Sequence, residues 1–117
     1  MNLNENIFRE YDIRGVVLED FQNDVVESLG KAFGTYIAKK WWKSISVSGD
    51  IRETSLELKE TFINGLLTTG AKVIDIGIVP TPTNYFSMYF LDTDAAVQIT
   101  GSHNPPEFNG FKFSCKN

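Results

Sequence analysis

The chain has 117 residues, of which 42% are hydrophobic and 22% charged, and its formal net charge is −4 at pH 7. This size suits one domain that buries most of the surface its unfolded form would expose, and the sequence has neither an apolar run of membrane-span length, nor a secretory signal pattern, nor a broad basic surface. We therefore expect a cytoplasmic protein with no membrane and no nucleic-acid partner.

The first half of the chain predicts strands flanking a long helix. The N-terminal segment is expected to add a strand to the sheet. Apolar residues recur at three-and-four spacing over residues 23–42, which is typical of a helix with one buried face. Residues 43–48 then alternate polar and apolar side chains before Gly49, which predicts a strand that leads into a turn.

The turn after this strand contains Asp50 and Arg52. An ion pair between these two residues would fix the turn, and we favour this supporting role over direct contact with a ligand. Thr54 and Glu57 fit a capping box for a second amphipathic helix, which Gly70 would close.

Three further strands and one helix are predicted in the second half. Residues 72–76 are rich in β-branched side chains and predict a strand, and two prolines separate them from an aromatic helix over residues 84–90. Residues 95–100 predict the next strand, and the alternation in residues 111–114 indicates a strand that could pair beside it.

Strands separated by helices imply right-handed crossovers, so we expect a three-layer α/β/α sandwich with a mixed, mostly parallel sheet. No helix follows residues 111–114 in this sequence, which suggests a domain truncated before its last helix. Such a truncation would leave an apolar sheet face uncovered and favour self-association. Ligands of such sheets gather at the carboxyl ends of the strands, where Asp50, Gly77 and Ser102 would meet.

The segment of residues 100–106 presents a serine between a glycine and an Asn-Pro-Pro turn. Gly101 lets a bulky anion approach the backbone, and Pro105 restricts the residue before it to extended conformations. Ser102 should therefore be exposed and well fixed. A hydrolase triad would need His103, its immediate neighbour, and adjacent side chains rarely align in that way.

Several segments of the chain resemble, in order and in spacing, the motifs of the α-D-phosphohexomutases, the phosphomannomutase/phosphoglucomutase family. They lie at residues 8–15, 47–55, 77–83, 100–106 and 107–112. The resemblance implies that residues 1–117 are an incomplete N-terminal, phosphoserine-bearing domain of a larger multidomain enzyme. It also implies that the enzyme interconverts hexose 1-phosphate and hexose 6-phosphate, with glucose or mannose as the sugar, through a bisphosphorylated intermediate.

The same resemblance assigns residues to the site. Ser102 would carry the phosphate, with Arg14 and Lys112 near it to contact phosphate or assist proton movement. His103 would be a neighbouring polar group, and Arg14 and Tyr11 would contact substrate. Simpler structural roles stay open, since Arg14 could form a salt bridge to a nearby carboxylate, Lys112 could be an exposed strand residue, and Tyr11 could pack as an aromatic anchor.

In this family Mg²⁺ is held by the serine phosphate of Ser102 together with aspartates of a later domain, and the chain has no such aspartate loop. We interpret Asp92 and Asp94 as a solvated turn, since they lack the third acid and the glycines of that loop. The single cysteine, Cys115, is expected to be a buried, inert thiol. The chain alone is therefore expected to lack turnover and to need the remaining domains of its parent enzyme.

An alternative interpretation is a non-catalytic module. The same sheet edge would then bind a phosphosugar or a partner through the Ser102 loop without chemical turnover. Replacing Ser102 by alanine separates the two interpretations, because a binding module tolerates the loss of one hydroxyl and a mutase does not.

Overall fold

The structure is a computed structural model that describes residues 1–9 and 12–116. In chain order its elements are a short 3₁₀ helix (Glu5–Ile7), β1 (Asp12–Val16), α1 (Val17–Asp20), α2 (Asn23–Lys39), β2 (Ser44–Gly49), α3 (Glu53–Leu67), β3 (Lys72–Ile78), α4 (Thr81–Phe90), β4 (Ala95–Ile99) and β5 (Phe108–Cys115). Within that part of the chain, none of the helices combines the length and the apolar character needed to cross a membrane.

The five strands form one mixed sheet in the order β1-β5-β4-β2-β3. Strand β2 pairs parallel with β3 and with β4, whereas β5 pairs antiparallel with β4 and with β1. Strands β1 to β4 therefore share one direction and β5 alone is reversed. The predicted strands, including the N-terminal one, are confirmed.

The two faces of the sheet are covered in different ways, which confirms the three-layer architecture. Helices α2 and α3 bury an apolar core against the first face, and its central strand residues are Ile45, Val47, Val97, Ile99 and Phe111. Helix α4 lies on the second face through polar contacts: the Ser46 and Ser87 hydroxyls are 2.7 Å apart, and the Asn84 amide donates to the hydroxyl of Ser48 at 2.7 Å.

Helix α2 ends at Lys39, earlier than the predicted boundary near residue 42. The backbone turns at Trp41, which has a φ of 62°. The Trp41 N–H donates to Ala38 at 3.1 Å and the Trp42 N–H to Ile37 at 3.2 Å, which is the Schellman pattern of helix closure.

The predicted capping box of Thr54 and Glu57 is wrong. Helix α3 begins at Glu53, with Arg52 in the N-cap position and no hydrogen bond from the Arg52 side chain to the helix end. The carboxylate of Asp50 contacts the chain just before the helix, where it accepts the Arg52 N–H at 3.1 Å.

The prediction of an uncovered apolar sheet face is also wrong. Side-chain alternation in β5 turns Phe111 and Phe113 toward α2 and α3, and the ring centroids of Phe113 and Phe33 are 4.7 Å apart with the ring planes tilted by 46°. The other face of β5 presents Lys112, which lies opposite Asp12 of β1. On the second face of the sheet, large exposed apolar side chains belong instead to α4: Tyr85, Phe86, Tyr89 and Phe90.

Candidate functional site

The loops that follow β2 and β4 meet at the carboxyl edge of the sheet, as the sequence predicts. The Asp50 N–H, directly after β2, donates to the carbonyl of Ile99 at the end of β4 at 2.9 Å. The Val79 N–H, directly after β3, donates to the carbonyl of Gly49 at 3.1 Å, so the end of β3, with Gly77, reaches the same edge. Parallel pairing thus brings the ends of these strands together.

The segment of residues 100–108 that follows β4, called the serine loop below, holds Ser102 in an exposed position. The Ser102 N–H donates to the hydroxyl of Thr100 at 2.9 Å, and both the backbone and the side-chain amide of Asn104 donate to the carbonyl of Gly101 at 3.0 Å. Ser102 has a φ of 54°, a value that a residue with a side chain adopts at a free-energy cost. The surrounding contacts therefore keep the serine in a defined, strained conformation.

The carboxylate of Asp50 anchors this loop to β2 and α3. It accepts the Gly101 N–H at 3.0 Å, the Thr100 hydroxyl at 3.1 Å, the Arg52 N–H at 3.1 Å, and the hydroxyl of Ser55. Burial raises the pKa of Asp50, but the hydrogen bonds from these four groups together outweigh burial, so the pKa lies below its ordinary value. Asp50 is therefore held as a carboxylate anion.

The side chain of Arg52 lies against the same loop. Its Nε is 3.5 Å from Asp50, which is the predicted ion pair. Its two terminal nitrogens donate to main-chain carbonyls of the loop, those of Ser102, Asn104, Pro105 and Phe108. Arg52 therefore contacts the backbone of the serine loop.

Arg14 and Lys112 lie on one face of two adjacent strands. Lys112 pairs with Asp12 across β1 and β5, and Arg14 stands two residues from Asp12, so the three side chains leave the same face. Arg14 also forms an ion pair with Asp12, at 2.8 Å, which is the structural role that the sequence left open for it. A guanidinium carries five N–H donors, and this ion pair uses one of them.

The row of paired residues across the sheet relates Arg14 to the serine loop. Arg14 is opposite Gly110, and the carbonyl of Gly110 accepts the Thr100 N–H at 2.9 Å. Two strand spacings of about 4.8 Å separate Arg14 from Thr100 along this row. Arg14 and the start of the loop that carries Ser102 therefore lie at the same level of the sheet, two strands apart.

The remaining predicted site residues are His103 and Tyr11. His103 is exposed beside Ser102. Tyr11, predicted to bind substrate, lies outside the described residues. A 470 Å³ cleft between α4 and β5 includes Asp12 and Lys112 in its lining.

Sequence reasoning missed Asn109, a buried residue at the start of β5. Its side-chain amide donates to the hydroxyls of Thr54 at 2.8 Å and Ser55 at 2.9 Å, and its carbonyl oxygen accepts the Gly110 N–H at 2.8 Å. These bonds fasten the end of the serine loop to α3. A polar residue amid the aromatic residues of β5 was the available signal, since a buried amide has to find partners.

The acidic residues of the opposite edge do not form a metal site. Residues 1–9 and 12–116 contain no group of three or more His, Cys, Asp or Glu side chains placed to hold a cation. Asp92 is exposed and pairs with Lys116 at 2.7 Å. Asp94, however, is not the solvated turn residue that was predicted, because it accepts the N–H groups of Lys43 at 2.7 Å and Ser44 at 3.1 Å.

Cys115 is exposed, and the prediction of a buried thiol is wrong. It is the last residue of β5. Neighbouring atoms still desolvate the sulfur and raise the pKa of the Cys115 thiol, and this effect exceeds the opposing one of the Lys40 charge. A thiol with a raised pKa is a weak nucleophile at neutral pH.

Comparisons with known proteins all indicate the same protein family. Residues 5–117 match the family described as phosphoglucomutase/phosphomannomutase, alpha/beta/alpha domain I. The chain is 37% identical over 107 residues to the phosphomannomutase of Vibrio cholerae, which covers 90% of this chain and 23% of that protein. It is 40% identical over 107 residues to the phosphomannomutase/phosphoglucomutase of Pseudomonas aeruginosa, which covers 92% of this chain and 23% of that protein.

A third relative and a solved structure extend the comparison. The chain is 45% identical over 100 residues to a protein of Thermococcus gammatolerans named probable phosphoglucosamine mutase, covering 86% of this chain and 22% of that protein. A crystal structure of a phosphoglucomutase/phosphomannomutase family protein from Burkholderia thailandensis superposes with a TM-score of 0.90 at 37% identity, covering 96% of this chain and 26% of that one. The chain thus spans less than a quarter of the length of these curated relatives.

Proposed function

The chain belongs to the phosphoglucomutase/phosphomannomutase family as its alpha/beta/alpha domain I, and from this premise we propose that Ser102 carries the phosphate that the whole protein exchanges with a hexose phosphate. The observation that carries the proposal is the exposed serine in a loop fixed on both sides, by the carboxylate of Asp50 and by the guanidinium of Arg52. An exposed hydroxyl on a preorganised loop is what phosphoryl transfer by positioning requires.

The proposed reaction has two matched transfers. In the first, the bond between phosphorus and Oγ of phosphorylated Ser102 breaks and a bond to the oxygen of a free sugar hydroxyl forms, while that hydroxyl gives up its proton and the released serine oxygen takes one up. The product is a bisphosphorylated hexose. In the second transfer the other phosphate of the sugar returns to Ser102, so hexose 1-phosphate becomes hexose 6-phosphate and the serine is phosphorylated again.

Arg14 and Lys112 are the proposed charge partners of the transferred group. Both are basic residues that leave one face of adjacent strands, and Arg14 lies on the row that leads to Thr100. Positive charge directed at the oxygens of a transferring phosphoryl group lowers the barrier, because negative charge is spread over those oxygens in the transition state. His103, beside the serine, is proposed as a neighbouring polar group that contacts the same anion.

Mg²⁺ is a proposed cofactor of the whole protein, where it would neutralise charge on the serine phosphate. The described residues do not fit a Mg²⁺ site by themselves, because they bring no three acidic or histidine ligands together. The phosphate of Ser102 could provide one oxygen ligand, and the others would have to come from outside these residues. The steps above are therefore derived without the metal.

We propose that residues 1–117 are an incomplete N-terminal domain whose partners are the remaining domains of the same enzyme. The short coverage of the curated relatives supports this reading. The sugar, glucose or mannose, is proposed from the names of the two bacterial relatives. Cytoplasmic location stays a prediction of the sequence, and the isolated chain is predicted to lack turnover.

The test is mutase turnover by the whole protein that carries this domain, with hexose 1-phosphate as substrate and a bisphosphorylated hexose as activator. We expect Ser102→Ala to lower kcat by about 10³-fold or more, because it removes the phosphate acceptor. The matched control is Ser28→Ala, a serine of α2 outside the loop that carries Ser102. Full activity of Ser102→Ala would contradict the proposal and favour a non-catalytic phosphosugar-binding module.

A further inference from the structure

The donors of Arg52 are used within the protein. Its two terminal nitrogens donate to the loop carbonyls of Ser102, Asn104, Pro105 and Phe108, and its Nε faces Asp50. All three side-chain nitrogens therefore have a protein partner, and the side chain is only 19% exposed. Arg52 is poorly placed to bind a substrate phosphate, in contrast to Arg14.

The main-chain and side-chain groups bound by Asp50 and Arg52 lie on both sides of Ser102 along the chain. Asp50 holds the residues before Ser102, since it accepts the Thr100 hydroxyl and the Gly101 N–H. Arg52 holds the carbonyls of Ser102 itself and of residues after it. The strained φ of Ser102 lies between these two anchors, and such a conformation persists only where its surroundings impose it.

Gly101 allows this close approach. A methyl group on Gly101 would overlap the guanidinium of Arg52 at Cζ, Nη1 and Nε. The guanidinium therefore lies directly on the loop backbone, one residue before Ser102. Because a side-chain end can shift, an added methyl group would displace the guanidinium from its carbonyl partners.

We propose that Arg52, oriented by Asp50, is a positioning residue that fixes Ser102 for phosphoryl transfer by binding the main chain of its loop; this inference rests on the function proposed above. The planar fork of a guanidinium can serve several carbonyls from one fixed place. A lysine presents one compact ammonium with three rotating donors, so Arg52→Lys keeps the charge and loses the geometry.

The experiment uses the whole protein with Arg52→Lys and Arg52→Ala. The matched control is Asp75→Asn on β3, a carboxylate that likewise accepts an N–H two residues on, from Gly77 at 2.9 Å, and pairs with a cation, Lys59 at 2.8 Å. Each variant is measured for kcat, for KM of the hexose phosphate, and for amide hydrogen exchange of the peptide covering residues 100–108.

The expected result separates chemistry from binding. Both Arg52 variants lower kcat by about 10²-fold, since a misplacement of about 1 Å has that effect, while KM changes little because Arg52 does not touch the substrate. Exchange across residues 100–108 becomes about tenfold faster or more, whereas exchange in β4 is unchanged. The Asp75→Asn control changes neither kcat nor the loop exchange.

Several outcomes would overturn the inference. Unchanged loop exchange in Arg52→Lys would show that the guanidinium does not hold the loop, whatever the activity. A rise in KM with an unchanged kcat would make Arg52 a substrate contact instead. Full activity of Ser102→Ala would overturn the proposed function and with it the catalytic consequence, and the exchange measurement would still report on the Arg52 contacts separately.

Discussion

One aspartate ties the chain at each end of strands β2 and β4, and the loop at the carboxyl end also exposes the hydroxyl of Ser102. At the carboxyl edge Asp50 binds the loop that exposes Ser102. At the amino edge Asp94 binds the first N–H groups of the β2 region, those of Lys43 and Ser44. The same kind of contact, an aspartate carboxylate that accepts main-chain N–H groups, fixes the start of a strand at one edge and the loop with an exposed hydroxyl at the other.

Backbone strain occurs at both edges, so strain alone does not identify the site. Ser102 has a φ of 54° at the carboxyl edge, and Trp41 and Asp92 have φ values of 62° and 56° at the amino edge. Convergent bonds hold the loop around Ser102, whereas the side chain of Trp41 is 89% exposed. The density of polar contacts around a strained residue separates the candidate site from an ordinary helix ending.

The largest expected effect is that of Asp50→Asn. Four donors converge on this carboxylate, and the amide has no charge and one acceptor oxygen. We expect the free energy of unfolding to fall by about 2 to 3 kcal/mol, since hydrogen bonds to a charged group are each worth roughly 1.5 to 3 kcal/mol and neighbours compensate in part. Urea denaturation measures the change, and a loss below about 1 kcal/mol would contradict the anchoring role.

Trp41→Gly should raise the free energy of unfolding, in contrast to Asp50→Asn. Glycine adopts a positive φ without the side-chain clash, and the exposed indole contributes little burial. We expect stabilisation by about 1 kcal/mol, the cost of a left-handed conformation for a residue with a side chain. Thermal unfolding would show a higher Tm, and an unchanged or lower Tm would mean that the indole packs more strongly than its exposure indicates.

Asp94→Asn is expected to have a smaller effect than Asp50→Asn. Its two backbone donors lie at the rim of the sheet, and one amide oxygen can still accept one of them. A loss of about 1 kcal/mol or less in the free energy of unfolding is predicted. Equal losses for the two substitutions would remove the contrast between the two edges.

The smallest expected effect is on the pH dependence of stability, which compares Asp50 and Asp94 through the loss of unfolding free energy at acidic pH. Burial raises the pKa of Asp94, but the N–H groups of Lys43 and Ser44, the Ser44 hydroxyl and the Lys116 charge outweigh it, and the pKa is lowered as it is at Asp50. A carboxyl with a lowered folded pKa stabilises the protein above its ordinary value of 3.8 and loses this contribution as the pH falls through the folded pKa. Both Asn variants should therefore show a shallower loss of stability below about pH 4 than the parent chain.

Urea midpoints measured between about pH 6 and pH 2 test this prediction. If the acid limb of both variants matches that of the parent chain, other carboxylates control the acid transition. A steeper limb in either variant would reverse the sign of the linkage and contradict the lowered pKa.

Periodicity predicted the elements of the fold because it reports local burial. The apolar spacing of α2 and the alternation of β2 each follow from one buried face. The loop of Ser102 was also predictable, since glycine and proline restrict the backbone around it. The family resemblance then supplied residue roles that no local pattern contains.

Contacts between distant residues account for what the sequence did not predict. Arg52 meets its carbonyl partners about fifty positions later in the chain, and Asp94 meets Lys43 across 51 positions. Neither pairing leaves a local periodic signal. The early start of β5 at Phe108 depends in the same way on pairing with Val16 of β1.

The most direct test of the central claim is the phosphorylation state of Ser102. The whole protein would be incubated with a bisphosphorylated hexose whose phosphates carry an isotopic label and analysed by mass spectrometry, then chased with unlabelled hexose 1-phosphate. We predict one labelled phosphate on the peptide that contains Ser102, its replacement by unlabelled phosphate during the chase, and no label in Ser102→Ala. Mutase turnover without phosphate at Ser102, or label that stays through the chase, would contradict the role of Ser102 as the phosphate carrier.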